Sequence, residues 1–133
     1  DFAFNAAVWQ IADAHGAHAP TYVYRYDYAP RMLRWSGMGA THATELFAVF
    51  DVYRSGGFGR LLTAGADRRT ALQVSKQVQR RWGAFSRAGA PGENWPAYTA
   101  DERAVMVFDR KTRLEYDPAP ERRKAWQGFS LAH

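Results

Sequence analysis

Cysteine is absent from this 133-residue chain. That excludes a disulfide scaffold, a thiolate metal site and a cysteine nucleophile, while saying nothing about compartment. No apolar run approaches the roughly 18 residues of a membrane-spanning helix. The amino end, Asp1-Phe2-Ala3-Phe4-Asn5, carries neither the cationic start nor the apolar core of a signal peptide. It does not open on Met, as expected of a fragment or a processed chain. Acidic residues are few, 13 against 18 Lys and Arg, for a net charge of +5. Hydrophobic residues make up 47% and aromatics 15%, which is enough for a packed core and far from the composition of a disordered chain.

Apolar spacing divides the chain into mixed α and β elements. Phe4, Val8, Ile11 and Ala12 mark one face of a helix over 2–15, closed by Gly16 and Pro20. Residues 21–28, Thr-Tyr-Val-Tyr-Arg-Tyr-Asp-Tyr, read as a strand with tyrosines on one face and Val23, Arg25 and Asp27 on the other, so that Arg25 and Asp27 are placed to pair. The stretch 29–44 is irregular but apolar. A short buried helix or turn is expected over 45–50, and a flexible stretch over 54–59. The longest helix spans 67–88, with Ala71, Val74, Val78, Trp82 and Phe85 as core anchors, Asp67 or Thr70 as cap, and Gly89 with Pro91 as the stop. Two short strands at 105–108 and 113–116 and a helix from Glu121 to about Phe129 follow. A single long strand needs neighbours, and the other candidates lie far along the chain, so the fold reads as incomplete. No linker or repeat divides residues 1–133.

His42 is the leading candidate for chemistry. It sits in a glycine-punctuated loop after a strand, and imidazole titrates near neutral pH, which suits a proton shuttle. A loop histidine bonded to the backbone fits residue type better, so something beyond residue type is needed to assign it a role. Glu45 follows three residues later, where a carboxylate is favoured at a helix amino terminus.

Four segments bear on that choice: Tyr22-Val23-Tyr24-Arg25-Tyr26-Asp27-Tyr28; Gly39-Ala40-x-His42-x-x-Glu45-Leu46 with Val49-Phe50; Trp82-x-x-Phe85-x-x-x-Gly89-x-Pro91; and Trp95-Pro96-Ala97-Tyr98. In this order and spacing they resemble the carboxyl-terminal part of the type B carboxylesterases, the cholinesterase-like branch of the α/β-hydrolases. Asp1, Phe2 and Phe4 resemble the preceding helix of that family. The resemblance implies an α/β fold, a carboxyl-terminal fragment of an α/β-hydrolase: late sheet strand, catalytic-histidine loop, covering helices and short terminal strands, all part of one catalytic domain. It implies that His42 is the general base and acid of a Ser-His-Glu triad hydrolysing carboxylic esters through an acyl-enzyme, with no cofactor and no metal. Glu45 would then support the loop, and Met32, Leu33, Trp35 and Met38 would line the acyl and alcohol pockets.

The family's serine elbow, Gly-x-Ser-x-Gly, and its glycine-rich oxyanion loop are not in this chain. Ser36, Ser55, Ser75 and Ser86 lack a glycine two residues before, and Gly128-Phe129-Ser130-Leu131-Ala132 has no room for the helix an elbow needs. The nucleophile and acid are therefore expected upstream, with the upstream part of the same esterase as partner and a small-molecule ester as substrate. No membrane partner is expected. This chain alone is expected to be inactive, and exposed strand edges or apolar surface would let it self-associate. His15 and His18 without a third ligand make a poor metal site. Trp95-Pro96-Ala97-Tyr98 reads as a packing clasp. The rival reading is a polyanion or nucleic-acid surface over Arg68, Arg69, Lys76, Arg80, Arg81 and Arg87 with Arg122, Arg123 and Lys124, although no nucleic-acid-binding motif accompanies it.

Overall fold

The structure, a computed structural model, describes residues 2–41, 43–65 and 67–127. The elements in chain order are α1 (Phe2–Gly16), β1 (Val23–Tyr26), α2 (Arg31–Trp35), α3 (Glu45–Val49), α4 (Gly56–Leu62), α5 (Asp67–Ala88), β2 (Ala104–Phe108), β3 (Arg113–Tyr116) and α6 (Pro120–Gln127). The isolated strand thus finds its neighbours within this chain. β1 pairs in parallel with β2, Val23 opposite Val105 and Tyr26 opposite Phe108, and β2 pairs antiparallel with β3 across the 109–112 turn.

The period-two pattern of β1 separates two cores. On one face Tyr24 and Met106 pack with Tyr28, Phe108, Trp95 and the α5 residues Ala71, Val74 and Val78. On the other, Val23, Val105 and Val107 meet Ala12 of α1 and Tyr98. β2 is buried throughout, so it reads as a continuous apolar run, as a strand covered on both faces should. At the solvent end Arg25 donates to Asp27 at 2.7 and 2.8 Å and reaches Glu115 of β3 at 3.2 Å, so the expected pair forms and crosses the sheet.

Several boundaries differ from the sequence reading. The ladder of β1 covers only 23–26, because Asp27 and Tyr28 both donate to Phe108 O and the strand turns away. Residues 31–35, expected to be irregular, form α2 behind Pro30, whose fixed φ suits a helix start. Residues 56–62 form α4, where a flexible stretch was expected. Gly59 allows a close approach: a Cβ there would run into Val52 O and lie 3.1 Å from the Tyr53 carbonyl. Of the expected α1 face only Ala12 is buried, while Val8 and Ile11 face outward and the Phe4 side chain lies outside the described part. Trp82 and Phe85 are half-exposed rather than core anchors. They pack edge-on against Tyr24 and Tyr22 at the free edge of β1. Phe129, the expected end of the last helix, lies outside the described residues.

Three polar clusters tie the layers. Asp67, expected as a possible cap, is the first residue of α5 and turns its side chain elsewhere: buried at 5% exposure, it accepts the Arg31 backbone N–H and the Arg110 guanidinium at 3.0 Å, joining the starts of α2 and α5 to the β2–β3 turn. Arg103 donates to both Asp13 oxygens, at 3.0 and 3.2 Å, and to the Tyr98 hydroxyl at 2.7 Å, while Tyr98 donates to Asp13. This latch fastens α1 through its polar side and leaves Ile11 outside. Asp117 accepts two bonds from Arg123, at 2.9 and 2.8 Å, anchoring α6.

Gly59→Ala should destabilise the protein by about 1–3 kcal/mol through backbone displacement, read as a lower denaturation midpoint. The Arg123 guanidinium holds the Asp117 carboxyl below its ordinary value of 3.8. The stabilisation from that pair is complete above the ordinary carboxylate range and is lost as pH falls below it. The protection of α6 amides, relative to the intrinsic exchange rate at the same pH, should therefore fall below about pH 4 while that of α5 holds.

Candidate functional site

The loop that carries the candidate histidine follows β1 and α2 in the chain. The buried Tyr28-Ala29-Pro30 segment leads into α2, and Arg34 Nη1 closes back on Ala29 O at 2.6 Å. Gly37 and Gly39 then turn the chain with φ of 77° and 61°, conformations open to glycine at little cost. The Gly39 N–H donates to Leu33 O at 3.0 Å, which folds the turn onto α2.

His42 itself lies outside the described residues, and the backbone on either side of it is closely tied. Thr44 donates to Thr41 O twice, from its hydroxyl at 2.7 Å and from its N–H at 3.2 Å. Leu46 N–H donates to Ala43 O at 3.1 Å. Ala43 holds a φ of 66°, which costs a residue with a side chain about 1–2 kcal/mol. A loop strained in this way persists only where its surroundings hold it.

Glu45 opens α3 in its first turn, half-buried, where a carboxylate meets the positive end of the short helix. Its charge is also felt by β1. Burial first, and the Glu45 charge after it, raise the Tyr24 phenol above its ordinary value. Tyr26 is likewise raised, chiefly by burial and then by the neighbouring Tyr53 hydroxyl at 3.1 Å, with Glu45 adding to it. These tyrosines are therefore neutral hydrogen-bonding groups at physiological pH.

The four expected pocket residues lie together along the approach to the loop: Met32, Leu33 and Trp35 on α2, and Met38 just after it. Leu33 is half-buried, whereas Met32, Met38 and above all Trp35, 76% exposed, present apolar surface outward. The Arg31 guanidinium stacks on the Trp35 ring at 4.4 Å and fixes its orientation. None of the four, nor Glu45, lines the aromatic groove of about 310 Å³ formed by Tyr22, Tyr24, Arg81, Trp82, Phe85 and Trp95 near the free edge of β1.

The remaining candidates separate. His15 closes α1 and bonds Thr21 Oγ1 at 2.7 Å. Among the described residues no group of three or more His, Cys, Asp or Glu gathers to hold a metal. His133 and the Gly128–Ala132 stretch lie outside the described residues. Trp95 and Tyr98 are buried, so the clasp reading of Trp95-Pro96-Ala97-Tyr98 matches the packing. The basic face of α5 is drawn partly inward: Arg68 donates to Tyr53 O, and Arg81 lies over the Trp95 ring and donates to Glu93 O. Two residues of α5 not singled out by sequence stand close to the loop's support. Ser75 and Gln79, one turn apart on α5, both donate to the end of α3. Nothing in the sequence sets them apart from the other neutral polar residues of α5, Thr70, Gln73, Gln77 and Ser86.

Comparison with known proteins gives the arrangement a family. The carboxylesterase family model matches residues 1–126. The para-nitrobenzyl esterase of Bacillus subtilis is 32% identical over 127 residues, covering 93% of this chain and 25% of that protein. Liver carboxylesterase 1 of Mus musculus is 36% identical over 115 residues, covering 80% of this chain and 19% of that protein. A solved structure of PNB esterase superposes with a TM-score of 0.72 at 31% identity, over 85% of this chain and 23% of that one. The chain thus spans a quarter or less of the length of these relatives. With a model match along nearly its whole length and a sheet and helices that superpose on a solved esterase, the chain belongs to the carboxylesterase family and carries part of its α/β-hydrolase fold.

Proposed function

We propose that this chain is the carboxyl-terminal part of the catalytic domain of a serine carboxylesterase, and that His42 is its general base and acid. The observation that carries the reading is the tethered backbone on either side of residue 42, which follows β1 and α2 in the chain, β1 being parallel to its neighbour β2. Open parallel sheets bind and transform their ligands at the carboxyl ends of the strands. A loop bonded on both sides of residue 42 and strained at Ala43 is suited to hold an imidazole in one orientation.

The chemistry then runs as follows. The imidazole accepts the proton of a serine hydroxyl supplied by the part of the protein outside this chain, as the oxygen attacks the ester carbonyl. The tetrahedral intermediate collapses, the imidazolium returns the proton to the departing alcohol, and the acyl group remains on the serine. Water, deprotonated by the same imidazole, releases the acid. The triad carboxylate, also supplied upstream, holds the ring in the tautomer that leaves the serine-facing nitrogen unprotonated. Glu45 supports the loop as the negative group opening α3. Met32, Leu33, Trp35 and Met38 contribute apolar surface to the acyl and alcohol sites. The reaction as written uses no cofactor. The partners implied are the upstream part of the same protein and a small ester, with the same apolar surface accounting for self-association of this chain when alone.

In the complete enzyme His42→Ala should lower kcat on a p-nitrophenyl ester by at least about 10²–10⁴-fold with the fold intact. This chain alone should hydrolyse that ester no faster than free imidazole does; full turnover by either protein would end the proposal. Trp35→Ala in the complete enzyme should change the preference for acyl or alcohol chain length, measured as kcat/KM over a series of homologous esters. An unchanged profile would remove Trp35 from the pocket.

A further inference from the structure

We propose that Ser75 and Gln79 of α5 are positioning residues for the catalytic loop: they grip the carboxyl end of α3, and α3 carries that constraint to the backbone on both sides of position 42. The proposal rests on the assignment of His42 made above and adds to it the elements that hold the loop in place.

α3 has five residues and spans only about 7.5 Å. A helix this short has no independent stability, and its last carbonyls have no partners within it. α5 supplies them. Ser75, 1% exposed, donates its hydroxyl proton to Ala48 O at 2.7 Å, with the Asp51 carboxylate a second acceptor at 3.1 Å. The Gln79 amide donates to Ala48 O and to Val49 O, each at 3.2 Å. Ala48 O therefore receives bonds from two side chains one turn apart on α5, which fixes both the distance and the rotation of α3 against that helix. Ala48 itself is fully buried in the core beside Ala71 and Val74, so the two backbones approach closely there.

The constraint passes along α3 without a break. Phe50 N–H bonds Leu46 O at 2.9 Å and Val52 N–H bonds Phe47 O at 2.9 Å. At the amino end Phe47 N–H bonds Thr44 O, Leu46 N–H bonds Ala43 O, and Thr44 bonds Thr41 O through both its N–H and its hydroxyl. From Ser75 to Thr41 the path consists only of backbone bonds and one threonine side chain. α5 is itself fixed at its start by Asp67 and along its length by the sheet. A proton-transferring imidazole must hold its nitrogen within hydrogen-bond reach of a hydroxyl on another part of the chain, and a displacement of about 1 Å is enough to cost about 100-fold in rate. Neither Ser75 nor Gln79 needs to touch substrate to have this effect.

The test uses the complete enzyme with Ser75→Ala and Gln79→Met, each of which removes donors while keeping most of the side-chain volume. Turnover of p-nitrophenyl acetate is expressed per active site, counted by the acyl-enzyme burst, so that unfolded protein does not contribute. Both variants should show kcat reduced about 10-fold with KM unchanged, the pattern of a displaced catalytic group rather than a lost substrate contact. Wild-type kcat per titrated site in both variants, with only the melting temperature lowered, would overturn the proposal and leave these residues a structural role. His42→Ala measured alongside separates the two levels. Full activity in that variant removes the assignment of His42 itself, whereas its loss combined with unchanged Ser75→Ala and Gln79→Met removes only the grip on α3.

Discussion

The alternation of side chains along β1 is the constraint on which the rest of this structure depends. Tyr24 and Tyr26 turn to one side of the sheet and Val23 to the other, and each side is closed by a different helix, α5 over the tyrosines and α1 over the valine. A shift of one residue against β2 would exchange the two sets and leave a phenol facing Ala12 and a valine facing Trp95. The register Val23 to Val105 is therefore specified from both faces at once. The Tyr28-Ala29-Pro30 segment that leaves this strand for α2 is buried, so the approach to the 39–44 loop starts from the same packing. Aromatic edge-to-face contacts such as Tyr24 with Phe108 at 5.7 Å reinforce it, each contributing about 0.5–1.5 kcal/mol.

Polar anchors then connect what the sheet does not reach. Asp67 joins two helix starts to the β2–β3 turn, the Arg103–Asp13–Tyr98 latch holds α1, and Ser75 with Gln79 holds α3. Each is a buried or half-buried group with its bonding satisfied by partners distant in sequence, the arrangement that fixes one geometry among many of similar apolar content. Apolar side chains stay outside as well, Ile11, Trp35 and Phe50 among them, the last at 72% exposure. The chain spans a quarter or less of the length of its relatives.

Much of this architecture was legible in the residues. α5 begins and ends where the Asp67 and Gly89 signals place it, and β2, β3 and the α3 turn fall where composition and alternation put them. Two short helices were not legible: Arg31–Trp35 has too few residues to show a period, and Gly56–Leu62 carries three glycines, of which only Gly59 serves a backbone approach, and so imitates a flexible loop. The half-exposure of Trp82 and Phe85 was missed because periodicity reports which face is apolar, not whether anything covers it. At the candidate site, residue type alone favoured an ordinary loop histidine at His42 over a proton shuttle, and the ordered motifs around it turned the reading. The Ser75 and Gln79 contacts could not be read, since their acceptors are main-chain carbonyls, which leave no mark in a sequence.

The parallel pairing of β1 with β2 also has a bearing on how the protein is made. Val105 is 82 positions beyond Val23, the difference of the two paired numbers. At ribosomal rates of about 5–20 residues per second, the tyrosine-rich strand waits roughly 4–16 seconds for the segment that covers its edge. During that interval an aromatic template stands open on the nascent polypeptide, and chaperone capacity, more than final stability, is expected to govern the yield of soluble product.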